Sequence, residues 1–555
     1  MKQIAGSSGI IISTELFNST TQLKSLMSEL NWSFPYRSQK MPVLARNVVS
    51  TSQPLAAQAG LSMLYRGGNA MDSALATAIA LTVVEPVMNG IGGDLFVQIW
   101  HEGKLYGLSA CGRAPEKWTY EQFAGSDSMP GKGWGTVTVP AQVAGWRALS
   151  EKFGKLPFEV LFEPAIRYAE EGFLVSPTVA RIWETQGQTC KDQPGFAEAF
   201  MRDGRFPKAG ERWTFPEQAE TLRDIAKTRG ESFYRGALAE KIIAFANESG
   251  GYFTAADLDS AKADWVEPIS ANFRDLTLHE IPPNGQGIAA LMGVGILDQF
   301  DLESMGLDSP DFYHVSIEAM KLAFADLHEH IADPDHMTVT NADLLAPEYL
   351  KQRAALIDMK KASTPKAGMP PSGGTVYLTA ADEAGTMVSF IQSNYHGFGS
   401  GVVVPGTGIA LHNRGCGFNV RKGHANCVGP KKKPMHTIIP GFITRNGEPL
   451  MSFGVMGGSM QAQGHAQMVT RLGAFAQNPQ AMNDAPRFRV ENGPVVNLEA
   501  HTPEAVVKTL QERGHNVKVA APDSLEFGSA QLIYKTEHGY IASSDPRRDG
   551  QAVGF

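Results

Sequence analysis

Between residues 69 and 84 alanine, leucine, isoleucine and valine recur on every side of a helical wheel with almost no charge among them, which predicts a helix buried nearly all round. It runs into Glu85-Pro86, after which the loop Asn89-Gly90-Ile91-Gly92-Gly93-Asp94 leads to a strand over 95–100 and a return strand over 105–109. Helical spacing recurs over 140–153, 159–171, 217–228 and 236–249, and a long helix over 311–330 ends ahead of Asp333-Pro334. From residue 375 the period shortens to two. Strands are predicted over 375–381, 386–393, 408–412, 438–444, 450–455, 495–498, 517–520, 530–534 and 539–542, with helices over 459–475 and 503–513 between them. A helical first part and a strand-rich second part predict an α/β fold in which sheets pack together under covering helices and share one core.

The two parts meet at an unusual seam. Ser363-Thr364-Pro365-Lys366-Ala367-Gly368-Met369-Pro370-Pro371-Ser372 has no apolar period and reads as a linker. Gly373-Gly374-Thr375 follows, and the runs on either side of Asp382-Glu383-Ala384-Gly385 predict a hairpin headed by the threonine. A hydroxyl in that position becomes a potent nucleophile if the peptide before it breaks, because the freed α-amine, with a pKa of about 8, can serve as its general base. Gly373 and Gly374 permit the strained backbone that such an intramolecular attack requires. The predicted cleavage site is therefore the Gly374–Thr375 peptide.

Composition narrows the partners. A net charge of −8 leaves no basic footprint for nucleic acid, and Lys431-Lys432-Lys433 is too short to track a phosphate backbone. Cys111, Cys190, Cys416 and Cys427 are far apart with no C-x-x-C, so neither a zinc site nor a disulfide framework is indicated and a cytoplasmic location is expected. Ile10-Ile11-Ile12 is too brief for a secretory apolar region, no long apolar run predicts a membrane span, and residues 1–38 read as a weakly ordered extension. His328-Glu329-His330 with Asp333, Asp335 and His336 has a metal-like composition, but His328 and His330 are two apart at a helix end and face different ways, so no metal is expected. The G-x-S-x-G elbow of serine α/β-hydrolases does not occur.

Several motifs converge. They are Gly67-Gly68-Asn69-Ala70-Met71-Asp72-Ser73-Ala74, Glu85-Pro86 with Gly90-Ile91-Gly92-Gly93-Asp94, Gly399-Ser400-Gly401, Gly457-Gly458-Ser459, Asn483-Asp484-Ala485-Pro486-Arg487-Phe488 and Ser544-Asp545-Pro546-Arg547. With Thr375 they make the chain resemble the γ-glutamyltranspeptidases, a family of N-terminal nucleophile hydrolases. The resemblance implies a four-layer αββα fold, a precursor cut into a large chain, 39–374, and a small chain, 375–555, a small-molecule amide substrate, and no cofactor. It leaves homo-oligomerisation open. Thr375 takes the nucleophile's place, and Ser393 falls where the family has a hydroxyl bonded to it. Gly457 and Gly458 take the oxyanion hole, which suits their place between a strand and a helix, where N–H groups face outward with the positive helix end behind them. Tyr395 stands where the family has an asparagine. Arg113 lies two residues from the family's carboxylate-clamping arginine.

The chain departs from the transpeptidase pattern at Asn413-Arg414-Gly415-Cys416-Gly417. Transpeptidases carry Gln-x-x-Asp there, with the aspartate on the substrate's α-ammonium, and this chain offers Arg414 and Gly417. Met435-His436 replaces the paired serines that bind the α-carboxylate, and the segment from Phe418 to Pro434 is shorter than the usual lid loop, which predicts a more open pocket. The pattern is similar to the acylase and oxamate-amidohydrolase branch. The expected activity is hydrolysis of a γ-glutamyl or related acyl amide through an acyl-enzyme. The alternatives are an oxamate amidohydrolase or glutaryl-type acylase whose substrate lacks the α-amino group, and an uncleaved binding protein.

Overall fold

In the computed structural model, residues 40–365, 374–491 and 494–555 are described. The expected extension over 1–38 and most of the linker before Thr375 lie outside them. Two seven-stranded sheets form the middle of the molecule. One runs in the order Val43–Ala45, Gly539–Ser544, Ser529–Thr536, Glu448–Met456, Gly441–Arg445, Leu276–Glu280, Ile269–Phe273. The other runs Gln551–Gly554, Val48–Thr51, Gly374–Ala381, Met387–Tyr395, Asp94–His101, Lys104–Ala110, Asp264–Val266. Every pairing in both is antiparallel.

The facing surfaces are not purely apolar, and their hydroxyls find partners across the gap, as buried polar groups must. Thr379 Oγ1 lies 2.7 Å from Ser452 Oγ, and Ser50 Oγ donates to Gln531 Oε1 at 2.7 Å. Gly454 is required here, because a Cβ would stand 2.3 Å from the Tyr377 ring. Helices Pro54–Tyr65 and Ala70–Val84 cover the sheet that holds Thr375, and Gly287–Leu297 and Met460–Phe475 cover the other, giving the αββα layering. As its pattern predicts, Ala70–Val84 is buried at every position, and Asn69 caps it by accepting from the Met71 and Asp72 N–H groups.

Some elements carried no readable period. Gly287–Leu297 is apolar on all sides and holds three glycines, two of which lie against Met320 and Leu350, so no polar face announces the helix. The short edge strands Val43–Ala45 and Gln551–Gly554 exist only through pairing with their neighbours. The expected strand over 408–412 shrinks to Ile409–Ala410. Upstream of the seam the chain is pinned where Ser363 N donates to Glu318 Oε2 at 3.0 Å and Lys321 Nζ donates to Ser363 O at 3.1 Å. No helix among the described residues is long and apolar enough to cross a membrane.

Candidate active site

Thr375 sits at an irregularity in the sheet. Gly374 pairs with Tyr395 and Val376 with Gln392, so this one residue faces two, Ser393 and Asn394. A bulge of this kind re-aims a side chain out of the strand's alternation. Thr375 is fully buried in the intact chain, with Oγ1 3.0 Å from Ser393 Oγ. Ser393 Oγ also accepts from Tyr395 N at 2.7 Å and from Arg414 Nη2 at 3.2 Å. The Tyr395 backbone has φ of 77°, the left-handed region that a tyrosine seldom adopts, and that turn lets its N–H reach back two residues to the serine.

The glycine turn lies on the facing sheet, between the end of Glu448–Met456 and the start of Met460–Phe475. Gly457 has φ of 129° and Gly458 of 62°, values that glycine alone adopts at no steric cost. A Cβ on Gly457 would also stand 3.1 Å from Gly528 Cα. The Gly458 carbonyl accepts from Gln286 Nε2 at 2.8 Å and from Gln461 N at 3.2 Å. Gln461, in the first turn of the helix, accepts from Ile439 N through Oε1 and places Nε2 3.5 Å from Thr375 Oγ1. Through it the threonine and the glycine turn meet at the helix's positive end.

Arg414 reaches the same point from the other side. Its guanidinium is fully buried, donates from Nη1 to Thr437 Oγ1 at 2.8 Å, and lies 4.3 Å over the Tyr395 ring. Among the described residues it forms no ion pair, and its Nε has no acceptor. Burial lowers its pKa, with Asp94 the leading opposing charge. Asp94 pairs in register with Ser393, and burial raises its pKa to about 7 against the pull of Arg414. His436 stands behind this pair, not against Thr375. Its Nδ1 accepts from Ile438 N, so Nε2–H donates to Asp94 Oδ2 at 3.2 Å. Burial, then Arg414, holds the His436 pKa well below its ordinary value, and the same causes bring His412 to about 3, so both rings are neutral.

Arg113 stands in an ion pair. Its guanidinium is spoken for by Asp333 Oδ2 at 2.8 Å and the Lys431 carbonyl at 2.9 Å, with 35% of the side chain exposed. Its backbone is pinned on both sides, Val139 N donating to Arg113 O and Ala114 N to Lys432 O, and Cys111, two residues before it, is buried. Cys111, Asp94 and His436 offer ligand atoms within 4.8 Å of one another, a metal-like grouping by composition. His436 Nε2–H donates to Asp94 within this group, and burial, then Asp94, pushes the Cys111 thiol up to about 12. Asp333, taken with the His328 group in the sequence, serves Arg113 and Lys433 N.

Asp94, His412 and Gln461 were not assigned roles from the sequence. Asp94 did carry a signal, an acid at the head of an otherwise apolar strand, while Gln461 is one of several glutamines in its helix and nothing local marks it.

Residues 56–555 match the family model described as Gamma-glutamyltranspeptidase. The chain is 36% identical over 514 residues to the oxamate amidohydrolase proenzyme of Klebsiella pneumoniae subsp. pneumoniae, covering 90% of this chain and 97% of that protein. It is 33% identical over 527 residues to the glutathione hydrolase-like YwrD proenzyme of Bacillus subtilis, covering 93% and 100%. Among solved structures, a cephalosporin acylase from Bacillus halodurans matches with a TM-score of 0.91 and 46% identity, over 95% of this chain and 99% of that one. With the layered sandwich and glycine turn already described, these matches establish that the chain belongs to the γ-glutamyltranspeptidase family and is an enzyme of the N-terminal nucleophile amidohydrolase and transferase class.

Proposed function

We propose that the chain is a precursor that breaks its own Gly374–Thr375 peptide, and that the mature enzyme hydrolyses the amide of a short acid lacking an α-amino group. In maturation Thr375 Oγ attacks the Gly374 carbonyl, the peptide nitrogen leaves as the threonine's α-amine, and water hydrolyses the resulting ester. In turnover that amine takes the Oγ proton as Oγ attacks the substrate carbonyl, and passes it to the departing amine. The N–H groups of Gly457 and Gly458 hold the oxyanion, Ser393 orients Oγ, and water, deprotonated by the same amine, releases the acid. Tyr395 and Arg414 form the wall beside the acyl group, with His436 and Asp94 behind.

The observation that carries the substrate choice is Arg414, a buried cation without an ion-pair partner among the described residues, which shares Ser393 with Thr375. A substrate ammonium would be repelled there, and an unpaired buried charge costs several kcal/mol. A carboxylate or second carbonyl oxygen on the acyl group would complete the guanidinium instead. The likeness to an oxamate amidohydrolase proenzyme and to a cephalosporin acylase supports this reading. Intact mass spectrometry should show two chains, the smaller of 555 − 374 = 181 residues beginning at Thr375, while Thr375→Ala stays whole and inactive. Oxamate and glutaryl amides should then turn over with higher kcat/KM than the matching γ-glutamyl amide. Preference for the γ-glutamyl compound would overturn the assignment of Arg414, and an active uncut chain would overturn the mechanism.

A further inference from the structure

A cavity of about 860 Å³ opens at the glycine turn, and its lining includes Met456, Gly457, Arg181, Thr185 and Arg548. Arg548 is 8% exposed, and its Nε and Nη1 are buried without a hydrogen-bond acceptor among the described residues. The carboxylates whose charge it feels are Glu85, Asp549 and Asp545, and among the described residues none makes a direct ion pair with it. Glu85 accepts from Ser52 Oγ at 2.5 Å. Asp549 accepts from Ser176 Oγ and from the Thr178 and Val179 N–H groups, and Asp545 serves Arg487 and Arg547. The other charges on the cavity wall largely cancel: Arg181 pairs with Asp523, and Glu526 with Arg489. Lys132 adds a second positive charge and, among the described residues, donates to the Gly397 and Gly399 carbonyls.

An unpaired buried guanidinium is costly to keep, and a ligand anion is the group that would satisfy it. We infer that Arg548 binds a carboxylate on the leaving amine of the substrate, so that this enzyme favours amides whose departing half is itself an acid. This rests on the amidohydrolase reading above. The side is set by access. Arg414 is enclosed, as suits the acyl half that stays on Thr375, whereas the Arg548 cavity reaches the exposed Arg181–Asp523 pair and gives the departing half a way out. Together the two arginines would read a substrate with an acid at each end of the scissile amide.

The test compares glutaryl-p-aminobenzoate with glutaryl-p-aminobenzamide, which differ only in the charge of the leaving amine. The mature enzyme should prefer the carboxylate by roughly tenfold to hundredfold in kcat/KM, the range for a charged hydrogen bond. Arg548→Gln should abolish that preference through KM while leaving turnover of the neutral anilide intact, and Arg548→Lys should keep part of it. Absence of the preference in the unmodified enzyme, or its persistence in Arg548→Gln, overturns the inference. So does a variant that loses discrimination between glutaryl and butyryl anilides instead, since the cavity would then hold the acyl half. Calorimetry with free p-aminobenzoate needs no turnover. Binding at least tenfold tighter to the unmodified enzyme than to Arg548→Gln, with no anilide cleaved, would sink the amidohydrolase reading and leave the Arg548 site standing. Equal binding would sink the site.

Discussion

Among the described residues the Ser393 hydroxyl meets Thr375 Oγ1, the Tyr395 N–H and Arg414 Nη2. One oxygen thus touches both the threonine hydroxyl and the cation beside it. Ser393→Ala should lower kcat by roughly tenfold to hundredfold, through a lost orienting contact and an arginine with one acceptor fewer. Steady-state kinetics on cleaved protein will show it, and unchanged kcat would mean that Gln461 alone suffices to place Thr375. Gly458 offers a second test. At φ of 62° a β-branched residue is strained, so Gly458→Val should twist the N–H away from the oxyanion and reduce turnover by about a hundredfold or more. A folded variant with full activity would remove this turn from the mechanism.

The segment after strand Gly539–Ser544 shows how a motif serves the site from a distance. Asp545 accepts from the Arg487 guanidinium at 2.7 Å, from Arg547 Nη1 at 3.2 Å and from Ala530 N at 2.7 Å, and Lys40 Nζ holds the same turn through the carbonyls of Asp545, Arg548 and Gly550. Burial alone would raise the Asp545 pKa, but Arg487 and Arg547 outweigh it and bring it from 3.8 to about 2. A carboxylate depressed in this way stabilises the fold fully above pH 3.8 and loses that contribution as pH falls towards 2. Asp545→Asn should therefore destabilise by about 3–5 kcal/mol near neutrality, since the buried Arg487 loses its counter-charge and Arg547 is left with Glu499 alone. In urea titrations the gap to the unmodified protein should close at a pH of about 2, and a gap independent of pH would refute the ionic account. The helical turn Arg414–Gly417 has a different constraint. A Cβ at Gly417 would stand 2.3 Å from Met435 O, so the transpeptidase aspartate cannot be restored there without moving backbone.

Across the whole molecule the two halves are woven together. Gly374–Ala381 and Met387–Tyr395, downstream of the seam, lie between Val48–Thr51 and Asp94–His101, upstream of it, and Gly441–Arg445 pairs with Leu276–Glu280 in the other sheet. Cutting the peptide before Thr375 severs only the Gly374 end of one strand and leaves the pairings from Val376 onward in place. The two chains should co-elute as one particle at neutral pH and unfold together in a single urea transition, with cleavage changing the midpoint little. Separation of the chains without denaturant would show that the sheets do not hold the mature enzyme together.

Periodicity alone was enough for the helix Ala70–Val84, the Thr375 hairpin and the Glu448–Met456 strand with its helix, because each has a polar boundary and a repeat that local chemistry enforces. Family motifs added the layered architecture and directed attention to Thr375, Ser393 and the glycine pair. Which arginine faces the site was decided by tertiary structure. Arg113 and Arg414 are equally plausible donors on paper, and the fold pairs the first with Asp333 while it buries the second against Ser393 and Tyr395. Asp94, Gln461 and Arg548 became visible for the same reason. A side chain's partners are set by chain segments tens to hundreds of residues away, and no local pattern encodes whether a buried charge will find its counter-charge in the fold or be left to take it from a ligand.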